Sequence, residues 1–246
     1  MSLADLFKRK SSFLESGFLK TFTDRHSHVL YGVDDGSRSL EESLSILSVM
    51  EKGGVRDLWC TPHIMEDYPN TTEDLKARFA QLCDNYHGTI RLHLAAEYMI
   101  DSLFFERFHQ RDLLTYEDDF LLMETSTWNP PSNVYSIFKD VVAAGYSPVF
   151  AHPERYRYLE GPAYERLFNM GVKFQLNLPS LLGYYGETAR SKAMWLLEKD
   201  MYFYAGFDCH RQLPLVEQYE SGRLPNKLFD VLKDAFGTEV TEVTEG

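Results

Sequence analysis

The feature of this sequence that most limits its possible folds is a repeated alternation of apolar, strand-like segments with amphipathic, helix-like segments. The unit occurs seven times, and no linker rich in proline, glycine or serine separates one unit from the next. Strands that alternate with helices form a parallel sheet covered by helices. Seven or eight such units usually close into a barrel. The 246 residues therefore predict a single α/β domain, and we expect a (β/α)7 barrel.

Capping residues and periodicity set the expected boundaries of the elements. Ser39 and Glu42 have the spacing of a capping box, and Gly53 and Gly54 end the helix that they begin. Further helices are predicted near residues 72–86, 102–110, 133–144, 162–170, 187–199 and 226–236. Strands are predicted to end at His63, Glu97, Glu124, His152 to Arg155, and Asp208 to His210.

Polar side chains gather at the predicted carboxyl ends of these strands. In the stretch "DRHSH", His26 and His28 are two residues apart, so that a strand would point both imidazoles to the same side. His63, Glu97 and His152 each end a different strand. A single histidine of this kind is more often a hydrogen-bonded core residue than a ligand. Five of the 8 histidines stand at matching strand ends, and this face carries the active site of α/β barrels.

This mixture of histidine and carboxylate favours metal-assisted hydrolysis. Without a thiolate framework a structural zinc site is disfavoured, and the set suits divalent manganese, iron, zinc or cobalt. The candidates are too many for one ion, so we expect two or three ions bridged by Glu97. Such clusters generate hydroxide from water and bind the oxygens of a phosphoryl group. Arg155 follows His152 by three residues and could hold a phosphate through parallel hydrogen bonds, or could form a surface ion pair with Glu154.

Several other enzyme classes lack their required motifs. A cysteine-dependent phosphatase needs an arginine six positions after its cysteine. The residues six positions after Cys60, Cys83 and Cys209 are Glu66, Thr89 and Leu215. The sequence also contains no phosphate loop of the form GxxxxGK[ST] and no GxSxG turn. The net charge of -12 argues against general binding of nucleic acid.

Five short motifs together resemble a known superfamily. They are "DRHSH…DDGS", "CTPH", "AAE", "AHPERY" and "FDCH", in this order. The sequence is similar to the PHP (polymerase and histidinol phosphatase) superfamily, and most similar to its branch of bacterial metal-dependent protein-tyrosine phosphatases of capsule and exopolysaccharide operons. The stretch "NLPSLLGYYG" also looks like that branch, and the resemblance runs from about Thr23 to His210.

The resemblance implies a distorted (β/α)7 TIM-like barrel of PHP type with a trinuclear metal centre, most often containing manganese, with iron or zinc as alternatives. The metal ligands that it implies are His26, His28, Asp35, His63, Glu97, His152, Asp208 and His210. It assigns the substrate phosphate to Arg155, and it implies catalytic roles for Arg155, Asp208 and His210. It also gives Asp24 the role of orienting an imidazole. Two departures from the branch, Tyr31 for a proline and "FDCH" for "SDAH", alter the rim of the site and remove no ligand.

The implied function is that of a metal-dependent phosphotyrosine-protein phosphatase, in which a metal-bound hydroxide attacks phosphorus. Water or His210 would protonate the leaving tyrosine. The expected partner is a phosphotyrosine protein, in particular the phosphorylated tail of a bacterial tyrosine kinase. One alternative is a small-molecule phosphomonoesterase of histidinol-phosphatase type, and another is a non-catalytic regulatory module with a degenerate site. An expected rim of tyrosines favours an aromatic substrate: Tyr31, Tyr68, Tyr156, Tyr184 and Tyr185.

Expectations for the rest of the chain are simpler. Residues 1–22 are expected to form a mobile or loosely docked N-terminal extension, with a short amphipathic helix as the alternative. Residues 23–240 are expected to form the single PHP barrel domain, followed by an acidic tail at 241–246. No apolar run is long enough to span a membrane. The 3 cysteines form no C-x-x-C pair, so a cytoplasmic location is expected, and the oligomeric state is left open.

Overall fold

The computed structural model describes residues 9–117 and 119–237. Its strands are β1 (Lys10–Ser11), β2 (Thr23–Asp24), β3 (Asp57–Cys60), β4 (His63–Ile64), β5 (Arg91–Leu94), β6 (Glu97–Met99), β7 (Phe120–Glu124), β8 (Ser147–Ala151), β9 (Lys173–Asn177), β10 (Tyr202–Gly206) and β11 (Leu224–Pro225). Its helices are α1 (Phe13–Ser16), α2 (Leu40–Gly53), α3 (Thr72–Asn85), α4 (Ser102–Gln110), α5 (Val134–Ala143), α6 (Gly161–Asn169), α7 (Leu178–Leu181), α8 (Glu187–Glu198), α9 (Gln212–Glu220) and α10 (Asn226–Phe236). Two 3-10 helices cover Phe18–Thr21 and Pro153–Arg155.

Most of the strands lie in two parallel sheets. One sheet has the order β10-β9-β8-β7-β6-β4, and the other has the order β2-β3-β5. Every pair within these two sheets is parallel, whereas β1 and β11 form a separate antiparallel pair. The predicted α/β class with parallel strands is therefore confirmed.

Backbone hydrogen bonds connect the two parallel sheets. Only two residues separate β3 from β4, and only two separate β5 from β6. Within the second of these breaks, the amide of Ala95 donates to the carbonyl of Cys60 at 2.9 Å. At the opposite edges, the amide of Arg25, just after β2, donates to the carbonyl of Ala205 in β10 at 3.1 Å. Backbone pairing thus continues at both places where one sheet ends and the other begins.

Helix α2 illustrates how the sequence sets the layers. The Ser39 hydroxyl accepts the amide of Glu42 at 3.3 Å, as a helix N-cap does. The Glu42 carboxylate accepts the amide of Arg38 at 2.8 Å, so the predicted capping box forms only in its first half. Gly54, with φ of 102°, ends the helix in the left-handed region. The buried face of α2 includes Leu47, and each such side chain contributes roughly 1.5–3 kcal/mol on burial.

The N-terminal segment corrects one expectation. From β1 onward it is not loosely docked, because the side chains of Phe13, Phe18 and Leu19 are fully buried. The Phe13 ring packs edge-on against Phe207 at 5.0 Å and against Phe229 at 5.2 Å. These aromatic residues fill the space behind the end of β10, and β1 is held in place by pairing with β11. Residues 1–8 of the expected extension lie outside the described part.

The C-terminal part contains a helix that the sequence pattern did not predict. Helix α9 directly follows the last candidate ligand, and its Pro214 lies in the first turn, where no backbone amide donor is needed. Among the residues that the structure describes, no helix combines the length and the apolar character needed to cross a membrane. The acidic tail expected at 241–246 lies outside the described residues.

Candidate metal centre

The candidate ligands meet near the points where β2, β3, β5, β8 and β10 end. His63 and Glu97 were predicted to end strands, but they follow a two-residue break and begin the short strands β4 and β6. Parallel pairing of β4 with β6 sets His63 directly opposite Glu97. His152 and Asp208 follow the ends of β8 and β10, and both adopt left-handed backbone conformations, with φ of 36° and 52°. Such a conformation costs on the order of 1–3 kcal/mol in a residue other than glycine. The fold keeps this strain at two residues whose side chains face the site.

Glu97 lies at the centre of the cluster. Its carboxylate is buried, and four imidazoles surround it. Oε2 lies 3.1 Å from Nε2 of His26, 3.3 Å from Nε2 of His28 and 3.2 Å from Nδ1 of His63. Oε1 lies 3.0 Å from Nε2 of His152. A carboxylate with histidines at both oxygens has the arrangement that a bridging ligand requires.

Asp208 provides a second buried carboxylate. Oδ1 faces the histidines, at 3.4 Å from Nε2 of His26 and 3.3 Å from Nε2 of His28. Oδ2 accepts hydrogen bonds from Arg155 at 2.7 Å and from the side-chain amide of Asn177 at 3.1 Å. The carboxylate is therefore held from behind, and one oxygen remains directed at the imidazoles.

Asp35 and His210 form the most open side of the cluster. The Asp35 side chain is 52% exposed, and its Oδ1 lies 3.4 Å from Nε2 of His210 and 3.6 Å from Nε2 of His63. The His210 ring stacks on that of His28, with centroids 4.0 Å apart. All eight ligands implied by the sequence thus meet at this centre, and solvent or a substrate can approach it from this side.

Glu124 is a ninth candidate, beyond the eight ligands that the sequence motifs imply. It ends β7, and its carboxylate lies 3.4 Å from Nδ1 of His63 and 3.6 Å from Nε2 of His152. The sequence signal was present, because Glu124 is the only charged residue in the apolar run "FLLME" and stands at its carboxyl end. The same criterion that selected Glu97 would have selected Glu124.

Three polar residues behind the cluster position its members. Gln175 Oε1 pairs with Nδ1 of His26 at 3.0 Å, which leaves Nε2 directed at the carboxylates. Asp34 holds Nδ1 of His28 at 2.7 Å. The implied role of Asp24 is wrong: its Oδ1 accepts backbone amides, including that of His26 at 3.2 Å, and it contacts no imidazole nitrogen. Asp24 fixes the chain path, and the glutamine orients the ring.

The donors suit divalent cations. Nitrogen and oxygen ligand atoms lie within 4.8 Å of one another in three groups. These are His28, Asp35, His63 and His210; His26, His28 and Asp208; and His63, Glu97 and Glu124. The buried Nδ1 of His63 makes no hydrogen bond although it faces Glu97 and Glu124. A nitrogen without a hydrogen bond beside two buried carboxylates is a position that a metal ion fits.

The electrostatics agree with this fit. Burial lowers the pKa of His63 and of His152 to about 4, so both are in the neutral, metal-binding form at pH 7. Burial acts to raise the pKa of Glu97 and of Asp208, but the neighbouring imidazoles outweigh it and hold both well below the ordinary range. Burial and the charge of Glu97 raise the pKa of Glu124 well above its usual value. A cation between these two glutamates would remove their repulsion.

The rim of the site differs in part from the expected ring of tyrosines. Tyr68 lies parallel to the His63 ring at 6.2 Å, and Tyr185 packs on the Arg155 guanidinium at 4.3 Å. Tyr156 is fully buried and stacks on Phe150, so it is not a rim residue. Of the remaining two tyrosines, Tyr184 is exposed, and the Tyr31 ring packs against the Arg78 guanidinium. Arg155 pairs with Asp208 rather than with the adjacent glutamate.

The fold and the donor cluster together define an α/β protein with a candidate metal centre. The chain belongs to the family described as capsular polysaccharide synthesis, CpsB/CapC, which matches residues 22–217. The branch predicted from the motifs is thereby confirmed.

Relatives support this membership, and solved structures share the fold. The putative tyrosine-protein phosphatase CapC of Staphylococcus aureus is 27% identical over 194 residues, which cover 76% of each chain. The tyrosine-protein phosphatase CpsB of Streptococcus pneumoniae is 27% identical over 201 residues, covering 76% of this chain and 82% of the relative. A crystal structure from work on YwqE of Bacillus subtilis and CpsB of Streptococcus pneumoniae, described as metal-dependent tyrosine phosphatases, matches 88% of both chains with a TM-score of 0.73 and 25% identity. The lactonase Lmo2620 of Listeria monocytogenes shares the fold, with a TM-score of 0.59, 11% identity and coverage of 90% of this chain and 93% of that one.

Proposed function

We propose that this chain is a metal-dependent protein-tyrosine phosphatase that acts in capsular or exopolysaccharide synthesis. The observation that carries the proposal is the convergence of histidines and acids on the buried carboxylate of Glu97. Membership of the CpsB/CapC family and the names of the relatives support the choice of substrate. The complete ligand set does not favour a degenerate regulatory module.

We further infer that the two parallel sheets are parts of one distorted (β/α)7 barrel of PHP type. The support is the continuity of β3 with β4 and of β5 with β6, which gives seven strand paths, together with the bond from Arg25 to Ala205 that joins the outer edges. The convergence of ligands at the carboxyl ends of the strands agrees with this arrangement. Residues 23–240 would form this domain, and the N-terminal segment from β1 would pack against it.

The proposed ligands are the eight residues implied by the sequence together with Glu124. Two or three divalent ions bound there, manganese in the first place and iron or zinc as alternatives, would supply a nucleophilic water and neutralise phosphate charge. Arg155 would bind the substrate phosphate with the guanidinium donors that Asp208 leaves free.

His210 would act as a metal ligand rather than as the acid that protonates the leaving group. Its Nδ1 donates to the backbone carbonyl of Asp208 at 2.9 Å, so the neutral ring carries its lone pair on Nε2, which faces Asp35. We therefore leave protonation of the tyrosine oxygen to water. The phenol has a pKa of about 10, and it departs more readily than an alkyl alcohol.

The proposed substrate is a phosphotyrosine protein, such as the tail of a bacterial tyrosine kinase. The rings of Tyr68 and Tyr185 at the mouth support an aryl phosphate. A cytoplasmic location agrees with cysteines that form no disulfide in the described residues.

The test compares a phosphotyrosine peptide with histidinol phosphate, each with the manganese-loaded protein and with the metal-free protein. We expect metal-dependent hydrolysis with a much higher kcat/KM for the peptide. His28→Ala and Asp208→Ala should abolish turnover and leave the circular dichroism spectrum of the fold intact. A small-molecule substrate that wins by orders of magnitude would replace our proposal with the histidinol-phosphatase alternative, and normal turnover in either variant would refute the metal mechanism.

A further inference from the structure

An exposed tryptophan carries an arginine close to the candidate metal centre. Trp128 is 61% exposed, and the guanidinium carbon of Arg157 lies 3.3 Å from its ring centroid. The backbone amide of Arg157 donates to the carbonyl of Thr127 at 3.0 Å, which ties the two loops together. No carboxylate in the part of the chain that the structure describes forms an ion pair with Arg157. Its hydrogen-bond donors are therefore available to a ligand.

Both residues belong to the loops that leave the candidate metal centre. Trp128 follows Glu124 by four residues, and Arg157 follows Arg155 by two. A chain spans at most about 3.6 Å per residue, so the Cα atoms lie within roughly 14 Å and 7 Å of those site residues. An extended peptide whose phosphotyrosine reaches Arg155 covers the same distances with the two to four residues on one side of it.

A cavity lies between Arg157 and the phosphate-binding side of the centre. Its volume is about 440 Å³, and Arg155, Arg157, Tyr185 and Lys192 contribute to its walls. This volume falls within the roughly 300–1,000 Å³ that ligand pockets usually have. Lys192 is held by two backbone carbonyls at 2.8 and 2.7 Å, so its charge stays at the wall.

The pairing of the charged groups on the cavity wall leaves Arg157 available to an anionic side chain. Its wall contains three basic residues and three glutamates, and four of these six already have polar partners. Arg155 pairs with Asp208 at 2.7 Å, and Lys192 donates to two backbone carbonyls.

Glu154 is buried and accepts hydrogen bonds from the backbone amide of Asn177 and from the hydroxyls of Ser180 and Tyr202. Glu187 pairs with Arg190 at 3.3 Å. Only Glu160 opposes the bases without a recorded partner side chain. Arg157 is therefore the basic group of this cavity that a carboxylate of the substrate can pair with.

We propose that Arg157, supported by Trp128 and opening on this cavity, is the docking surface for an acidic residue that flanks the phosphotyrosine of a polypeptide substrate. The inference rests on the proposed phosphatase function and adds a sequence preference to it. The tryptophan ring holds the guanidinium in one place, so that its planar set of donors is oriented before the carboxylate arrives.

The experiment uses the metal-loaded full chain and three peptides that differ only in the residues flanking phosphotyrosine: glutamate, alanine or lysine. The wild type should prefer the glutamate peptide over the alanine peptide about fivefold in kcat/KM, the upper range for an exposed ion pair, and 0.5 M salt should remove most of this preference. Arg157→Glu should reverse the order in favour of the lysine peptide. Trp128→Ala should lower the glutamate preference, and Arg157→Lys should retain part of it.

Arg166→Glu is the matched control, because Arg166 also stacks on an aromatic ring, that of Tyr135 at 3.9 Å, but lies on the outer helix α6. It should leave the ranking of the three peptides as in the wild type. Equal rates on all three peptides in the wild type, or the same ranking in Arg157→Glu, would overturn the docking surface while the phosphatase function stands. Failure of the wild type to hydrolyse any phosphotyrosine peptide would refute the proposed function and this inference with it.

Discussion

Asp34→Asn tests whether the polar residues that orient the candidate ligands control metal binding. Asp34 Oδ2 accepts Nδ1 of His28 at 2.7 Å and the amide of His63 at 3.0 Å, and Oδ1 accepts the amide of Gly36 at 2.8 Å. Asparagine has a similar shape but no charge, so the bond that orients His28 loses its ionic part. Hydrogen bonds to charged groups contribute about 1.5–3 kcal/mol, and each 1.4 kcal/mol corresponds to about a tenfold change in affinity.

We therefore expect Asp34→Asn to weaken manganese binding about 10–100-fold, the range seen when a partner of a metal-binding histidine is removed. Competition with a chelator at pH 7.5 would measure the affinity, and thermal unfolding would confirm that the fold persists. Asp57→Asn is the matched control, because Asp57 also contacts a histidine, His93, at 3.2 Å but lies at the start of β3. Unchanged affinity in Asp34→Asn, or an equal loss in both variants, would refute the reasoning.

Four other outcomes are expected. Glu124→Gln should reduce the number of bound ions, measured by elemental analysis, and full metal content would contradict its role as a ligand. Cation binding to metal-free protein should release protons and strengthen as pH rises, because Asp34 and other acids raise the pKa of His28 against the effect of burial. Titration calorimetry in two buffers of different ionisation enthalpy should give different observed heats, and equal observed heats would contradict proton release. Arg155→Ala should lower kcat/KM about 10²–10³-fold, and a loss under tenfold would exclude a direct phosphate contact. Phe13→Ala should destabilise the fold by about 3–5 kcal/mol in urea unfolding, whereas a loose extension would give almost no change.

Much of the candidate site was predictable because its residues follow one positional rule. His63, Glu97, His152 and Asp208 each follow an apolar strand, and parallel strands bring such ends together. Glu124 obeys the same rule but stands outside the five motifs, which therefore do not indicate it. Its role depends on where His63 points, and that direction is set by the pairing of strands distant in sequence.

The polar residues behind the candidate ligands were less predictable than the ligands themselves. Gln175 lies within the strand segment "VKFQLN", where a single polar residue gives no indication of the face on which it lies. The family resemblance gives Asp24 an imidazole as partner, whereas its Oδ1 accepts the backbone amides of His26 and Phe207. Such partners depend on how segments distant in sequence pack together, as Asp24 and Phe207 do, and local sequence spacing does not indicate them.

The prediction of a loosely docked N-terminal segment was wrong for a different reason. The basic residues among its apolar ones favour a surface extension, but the rings of Phe13 and Phe18 are fully buried 5.9 Å apart, and β1 pairs with β11. That pairing joins residues more than 200 positions apart. Local pattern alone could not predict a contact of this range, although the density of phenylalanine was a usable signal of burial.

Anomalous diffraction from crystals grown with manganese would test the central claim most directly. The account predicts two or three anomalous peaks within about 2.0–2.4 Å of histidine nitrogens and carboxylate oxygens of this cluster, with one peak on each side of Glu97. A map with no peak at Glu97, or with manganese bound only at surface carboxylates, would contradict it.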